Sequence, residues 1–170
     1  MYAFTIPRGS FVAAVSLLIA LPSLAAEPAS SAAPAPVVRE QVHGHFEVKL
    51  KPLGDAVSSQ GVTLGRMSLD KHFHGALEAR GEGEMLTALT SNKGSAGYVA
   101  MERVSGSLQG RQGSFVLQHS GSMQAGAQSL TIEVVPDSAS GDLVGLRGSM
   151  RITVRDGQHL YDFDYTLPVR

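Results

Sequence analysis

Apolar and polar residues alternate along the chain from about residue 42 almost to its end. Phe46, Val48 and Leu50 share one face of an extended segment, and Glu47 and Lys49 share the other. A period of two marks a half-buried strand, because successive side chains point to opposite sides of the pleat. The pattern returns where Met67, Leu69 and Phe73 oppose Arg66, Ser68, Asp70, His72 and His74. It returns again where Leu77, Ala79, Gly81, Gly83 and Met85 oppose Glu78, Arg80, Glu82 and Glu84. Further strands are expected over 98–108, 114–122, 130–135 and 143–146. Met150, Ile152 and Val154 then lead into Asp156-Gly157, a two-residue hairpin signal, after which Tyr161, Phe163 and Tyr165 alternate with Asp162 and Asp164. Pro52-Leu53-Gly54-Asp55, Ser91-Asn92-Lys93-Gly94 and Gly110-Arg111-Gln112-Gly113 read as turns.

About eight strands at this spacing, with no long helical stripe between them, predict an all-β fold. The expected architecture is an eight-stranded antiparallel β-barrel over 42–168. Phe46, Val48, Leu69, Phe73, Ile152, Val154 and Phe163 are its expected core. Ala79, Gly81, Gly83, Gly97 and Ala100 lie within strands, where small residues are unfavourable unless something needs the room. They either mark bulges or leave space for a cavity.

The first 41 residues follow a different logic. Arg8 is the only charge before Glu27, and 11–21 is an apolar run broken only by Ser16. Pro22-Ser23-Leu24-Ala25-Ala26 then places small residues where a signal peptidase needs them. Residues 1–26 are therefore read as a secretory signal peptide, with an uncleaved anchor as the alternative. The run is shorter than the roughly 20 residues that span a bilayer, so no stable membrane span is expected after cleavage. With no cysteine in the chain, lipoprotein attachment is excluded. Residues 27–41, rich in Ala and Pro, are read as a flexible tether. The expected location is periplasmic or secreted.

Composition narrows the function classes. Fourteen Lys and Arg against fifteen Asp and Glu leave no basic excess for nucleic acid. The absence of cysteine removes disulfides, thiol nucleophiles and thiolate metal sites. No Trp and 6% aromatic residues argue against an exposed stacking platform. The sequence holds no Gly-x-Ser-x-Gly, phosphate loop or dinucleotide fingerprint.

Several polar residues fall on faces where chemistry could lie. Glu102 shares a strand face with Tyr98 and Ala100, so a carboxylate enters the barrel if Tyr98 does. A buried glutamate can serve as general acid or base, or pair with an arginine. Glu84 belongs to the opposite, solvent face of its strand. His119 alternates with Phe115 and Leu117, as a proton carrier in a pocket or as a core histidine with one partner. His74, near a strand end, is a candidate rim residue of the barrel mouth. Tyr161 and Tyr165 flank Phe163 and offer an apolar wall with two hydroxyls. His72 and His74 share a face with Asp70, and His43 and His45 repeat the spacing, yet no metal is expected: exposed His-x-His pairs are usually solvated. Glu102 and His119 are thus the candidate catalytic residues. Tyr98, Glu102, Tyr161, Tyr165 and His74 are the candidate ligand contacts.

Ordered segments across this region resemble a known family. They are Ser68-Leu69-Asp70-Lys71, Phe73-His74-Gly75, Gly83-Glu84-Met85-Leu86, Gly94-Ser95-Ala96-Gly97-Tyr98-Val99-Ala100, Gly113-Ser114-Phe115-Val116-Leu117-Gln118-His119 and Val135-Pro136-Asp137-Ser138. Asp162-Phe163-Asp164-Tyr165-Thr166-Leu167-Pro168 closes the series. Over 42–168 the chain is similar to the bacterial domain of unknown function 3224. The resemblance implies an antiparallel barrel similar to that of plant allene oxide cyclases, and implies no activity, since fold does not carry chemistry with it.

The leading functional reading is an exported barrel that binds a small hydrophobic ligand without a cofactor. Alternatives are a cyclase or isomerase using an acid/base group in the barrel, and a non-catalytic protein-interaction barrel. A homo-oligomer is left open, and no nucleic-acid partner is expected. N-terminal sequencing of the exported protein is expected to begin at Ala26 or Glu27; a mature chain beginning at Met1 overturns the leader.

Overall fold

Four two-residue turns set the register of the sheet. Gln60-Gly61, Gln109-Gly110, Ala125-Gly126 and Asp156-Gly157 each place both residues at positive φ. That geometry is the type I′ turn, whose twist matches the twist of the two strands it joins. The structure, a computed structural model, describes residues 36–169. The expected signal peptide and most of the expected tether lie outside those residues.

The strands are β1 (Val37–Pro52), β2 (Val57–Ser59), β3 (Val62–Gly75), β4 (Leu77–Thr90), β5 (Ala96–Leu108), β6 (Arg111–Gln124), β7 (Ala127–Val134), β8 (Arg147–Arg155) and β9 (Gln158–Pro168). No α-helix forms among the described residues. All pairings are antiparallel, in the order β1-β9-β8-β7-β6-β5-β4-β3, with β2 a short strand added beside β3. β1 closes the barrel by serving two neighbours. Val37 to Phe46 pair with β9, and Gly44 to Pro52 pair with β3. The result is a closed eight-stranded antiparallel barrel, as the alternation predicts. Its weakest seam joins β7 to β8, where Glu133↔Ser149 is the one register pair.

The interior is packed in the half nearest the β5–β6 turn. Phe73, Phe115 and Phe163 are fully buried there, and the Phe115 and Phe163 rings stack 5.7 Å apart. Leu143 and Leu146 cap this end from the segment between β7 and β8. That segment was expected as a short strand. It instead forms a 3-10 turn at Gly141–Leu143, and places two leucines three residues apart on the core. The Ser138 and Ser140 hydroxyls accept hydrogen bonds from the Val116 and Ser114 amides, satisfying β6 donors beyond the reach of β7.

Two boundaries differ from expectation. The barrel begins at Val37, because residues 37–41 pair with β9 and so are strand rather than tether. Val154, expected in the core, is 61% exposed, while Val48 and Ile152 are half-buried against it. β8 stays paired with β9 as far as Arg155, but its register with β7 is limited to Glu133↔Ser149, which leaves Val154 unpaired on that side. Phe73→Ala and Phe163→Ala are each expected to lose roughly 3–5 kcal/mol in urea unfolding. Val154→Ala should stay within about 0.5 kcal/mol of the parent.

Candidate functional site

Above the packed half, one layer of the barrel interior is charged. Glu102 on β5 is fully buried, His119 on β6 is 2% exposed and Lys71 on β3 is 4% exposed. Lys71 Nζ donates to Glu102 Oε2 at 2.9 Å, and His119 Nε2 lies 3.0 Å from the same oxygen. The lysine reaches its partner across β4, which lies between β3 and β5. Gly81 stands opposite Lys71 in the register, and a Cβ there would strike Glu102 Oε1. The missing side chain is thus the space the carboxylate occupies. Gly81 therefore leaves no void. Gly121 behaves alike: the Tyr98 ring lies where its Cβ would be.

Lys71 also sits beside two aromatic faces, 4.8 Å from the Phe46 ring centroid and 5.5 Å from that of Phe73. Those rings stabilise a cation that has little water. Burial pushes the Glu102 carboxyl up. The His119 hydrogen bond and the Lys71 charge more than reverse it, and the net direction is below the usual glutamate value. Glu102 is therefore held as a carboxylate. Its second oxygen, Oε1, is buried and has no hydrogen-bond partner among the described residues.

On the far side of this layer the barrel opens. A cavity of about 320 Å³ lies among the inward faces of β4 to β7, bounded by Met85, Leu89, Ala96, Tyr98, Met123 and Leu130. Tyr98 joins the two regions: it lines the cavity, and its phenol is pushed up first by burial and then by the Glu102 charge. The Tyr98 hydroxyl makes no hydrogen bond among the described residues, and Glu102 itself does not line the cavity. A larger cleft of about 730 Å³ lies beside β1, β9 and β8, past Arg39, Asp164 and Arg147, and meets β7 at Glu133. It is shallow and open to solvent.

The structure thus brings together Glu102, His119 and Tyr98. It does not bring Tyr161 or Tyr165 to them. The Tyr161 hydroxyl accepts from the Leu77 amide at 3.0 Å and donates to the His74 carbonyl at 3.3 Å, bracing the β3–β4 turn. The Tyr165 hydroxyl donates to Glu40 Oε2 at 3.0 Å, next to Gln109 at the opposite end of β5 from Tyr98. Burial and Glu40 push the Tyr165 phenol up to about 12. His74 points outward from β3 rather than into the mouth, because it alternates with the inward Phe73; it meets Glu47 and Glu78. Glu84 faces solvent and pairs with Arg66 at 2.7 Å.

Lys71 was missed in the sequence reading. The signal is in the alternation: Met67, Leu69 and Phe73 share one face, and position 71 lies on that same face.

The fold and its interior define an eight-stranded antiparallel barrel crossed by a buried lysine–glutamate–histidine layer. The chain belongs to the family described as Protein of unknown function (DUF3224), whose model matches residues 42–165. It is similar to a solved structure of a DUF3224-family protein of unknown function from Shewanella oneidensis MR-1. The two are 54% identical over 78% of this chain and 100% of that one, with a TM-score of 0.75. No curated protein matches the chain.

Glu102→Gln leaves the Lys71 ammonium buried without a counter-charge and should cost roughly 3–5 kcal/mol. Lys71→Met combined with Glu102→Gln should lose less, because no unpaired charge remains. A carboxyl lowered on folding stabilises the native state above its ordinary value of 4.5. That contribution is lost as pH falls through the lowered value. Chemical denaturation across this range should show the acid loss in the parent and a smaller one in Glu102→Gln.

Proposed function

We propose that the chain is an exported binding barrel whose open end holds one small, mainly apolar molecule. The observation that carries this reading is the 320 Å³ cavity, whose apolar wall comes from Met85, Leu89, Ala96, Met123 and Leu130, beside Thr87, Ser122, Gln128 and Ser129, with the Tyr98 phenol making no hydrogen bond among the described residues. A concave, mostly apolar site with few polar groups is the usual form of a small-molecule site. Tyr98 stays protonated and offers a donor, so the complementary ligand group is a neutral acceptor oxygen. The Lys71–Glu102–His119 layer lies deeper in the barrel, beyond Tyr98. Export is supported by the charge, apolar and small-residue order of residues 1–26.

Turnover is less well supported than binding. A general base works best with a pKa near the working pH. Glu102 is shifted away from that range, and both of its charge partners share one oxygen. The interaction reading has an observation in its favour: Leu64, Leu86, Val99 and Met101 are each more than half exposed on the outer face of β3 to β5. It accounts for that patch and leaves the cavity without a purpose.

Native mass spectrometry of protein isolated from its periplasm is expected to retain a bound small molecule. Titration with the neutral fluorophore N-phenyl-1-naphthylamine should saturate at one equivalent. Ala96→Trp, which fills the cavity, should weaken it at least about ten-fold with an unchanged thermal midpoint. Tyr98→Phe should weaken an acceptor-bearing ligand by about two- to ten-fold, the worth of one hydrogen bond. A titration without saturation, or one untouched by Ala96→Trp, overturns the proposal.

A further inference from the structure

The outer wall of the barrel gathers two histidines and a carboxylate that the sequence keeps far apart. His45 on β1 and His74 on β3 are directly opposite in the register that closes the barrel. Their rings stack with centroids 5.1 Å apart at 29°. Glu47 lies two residues along β1 from His45, hence on the same face. Its Oε2 is 2.9 Å from His74 Nε2. One ligating atom from each of the three residues lies within 4.8 Å of the others.

The fourth participant is Glu78 on β4. Its Oε1 lies 3.4 Å from His74 Nδ1, the ring nitrogen that does not face Glu47. A carboxylate at the far nitrogen of an imidazole fixes the tautomer and leaves the near nitrogen free to bind a metal. The carboxylate–histidine–metal arrangement is therefore present in all but the ion. Two imidazoles and a carboxylate suit zinc and its divalent neighbours, and do not suit magnesium or calcium.

Distance supports the same reading. The ligand atoms of one tetrahedral zinc ion lie roughly 3.3–3.5 Å apart, given metal–ligand bonds of about 2.0–2.2 Å. Side-chain movements of about an ångström bring the three atoms to that spacing. His74 is 38% and Glu47 64% exposed in their side chains, so an ion reaches them from solvent and keeps a position open to water.

We propose that His45, Glu47 and His74 bind one zinc-class divalent ion on the outer wall, with Glu78 as the positioning residue for His74. The pairing crosses strands. It differs from the within-strand pairs His43/His45 and His72/His74 that the sequence suggests. Because it links β1 to β3, the ion would clamp the pair of strands that closes the barrel, at a site separate from the cavity.

Isothermal titration of the mature chain with zinc sulfate tests this. One equivalent is expected to bind, and the thermal midpoint to rise with zinc because the ion binds the folded state. His45→Ala and His74→Ala should abolish both effects. Glu78→Gln should weaken binding about ten- to one-hundred-fold, as loss of an orienting partner does, without removing a ligand. His72→Ala and His43→Ala should leave it unchanged. No stoichiometric binding, or binding lost in His72→Ala and kept in His45→Ala, overturns the proposal.

Discussion

A carboxylate removed from water has to be neutralised where it lies, and much of this barrel's interior is arranged around that requirement at Glu102. The desolvation cost of such a group amounts to several kcal/mol, and it is offset only by close, well-aligned partners. Lys71 and His119 supply them from strands on either side. β4 contributes by what it lacks, since a side chain at Gly81 would occupy the position of the carboxylate. Phe46 and Phe73 complete the surroundings by presenting ring faces to the lysine. The constraint therefore couples three strands through one oxygen atom, Oε2, and a fourth, β4, through the room Gly81 leaves for Oε1. It selects a register as well as an environment: a one-residue slip of β5 would turn Glu102 outward and leave Lys71 unpaired.

The charged layer also separates two kinds of interior. Below it, aromatic and aliphatic side chains fill the barrel as a core, closed at the end by Leu143 and Leu146. Beyond it, the inward positions of β4 to β7 continue into an open cavity. β1 ends at Pro52, and beyond it the wall at that end depends on β2 and the longer hairpins. One half of the barrel therefore supplies stability, and the other is free of that task. This division gives the binding reading its physical basis, because a site can stay open only where the fold does not need the space filled.

The outer wall is organised by pairing across strands. Arg66 with Glu84 and Arg80 with Asp70 join β3 to β4, and Arg151 with Asp164 joins β8 to β9. Exposed pairs of this kind add little stability singly. They do mark which face is wet, and so agree with the inward face set by Glu102. The His45–Glu47–His74 group departs from this pattern, since two imidazoles adjoin a carboxylate at the strand pair that closes the barrel.

The alternation of apolar and polar positions was enough to place most of the strands and an eight-stranded antiparallel barrel. Side-chain direction in a strand depends on local geometry alone, so Phe46, Leu69, Phe73 and Phe163 could be turned inward from the sequence, and Glu102 was tied to the face of Tyr98. The Asp156-Gly157 turn was legible for the same reason, because the backbone angles of that turn favour those residue types. Convergence was not legible. Lys71 and Glu102 are thirty-one residues apart and meet only through the order of the strands and the gap at Gly81. The sequence suggested that Tyr161 and Tyr165 join Glu102, because all three face inward. The tertiary structure placed the tyrosines elsewhere, since facing inward does not fix height along the barrel. Val154 carried the right alternation and still faces solvent, because burial needs a neighbouring strand to cover the residue, and β7 keeps no register with β8 beyond Glu133↔Ser149. Strand identity is a local property of the chain, whereas neighbourhood across the barrel is set by the stagger of its closure, and that exists only once the sheet has closed on itself.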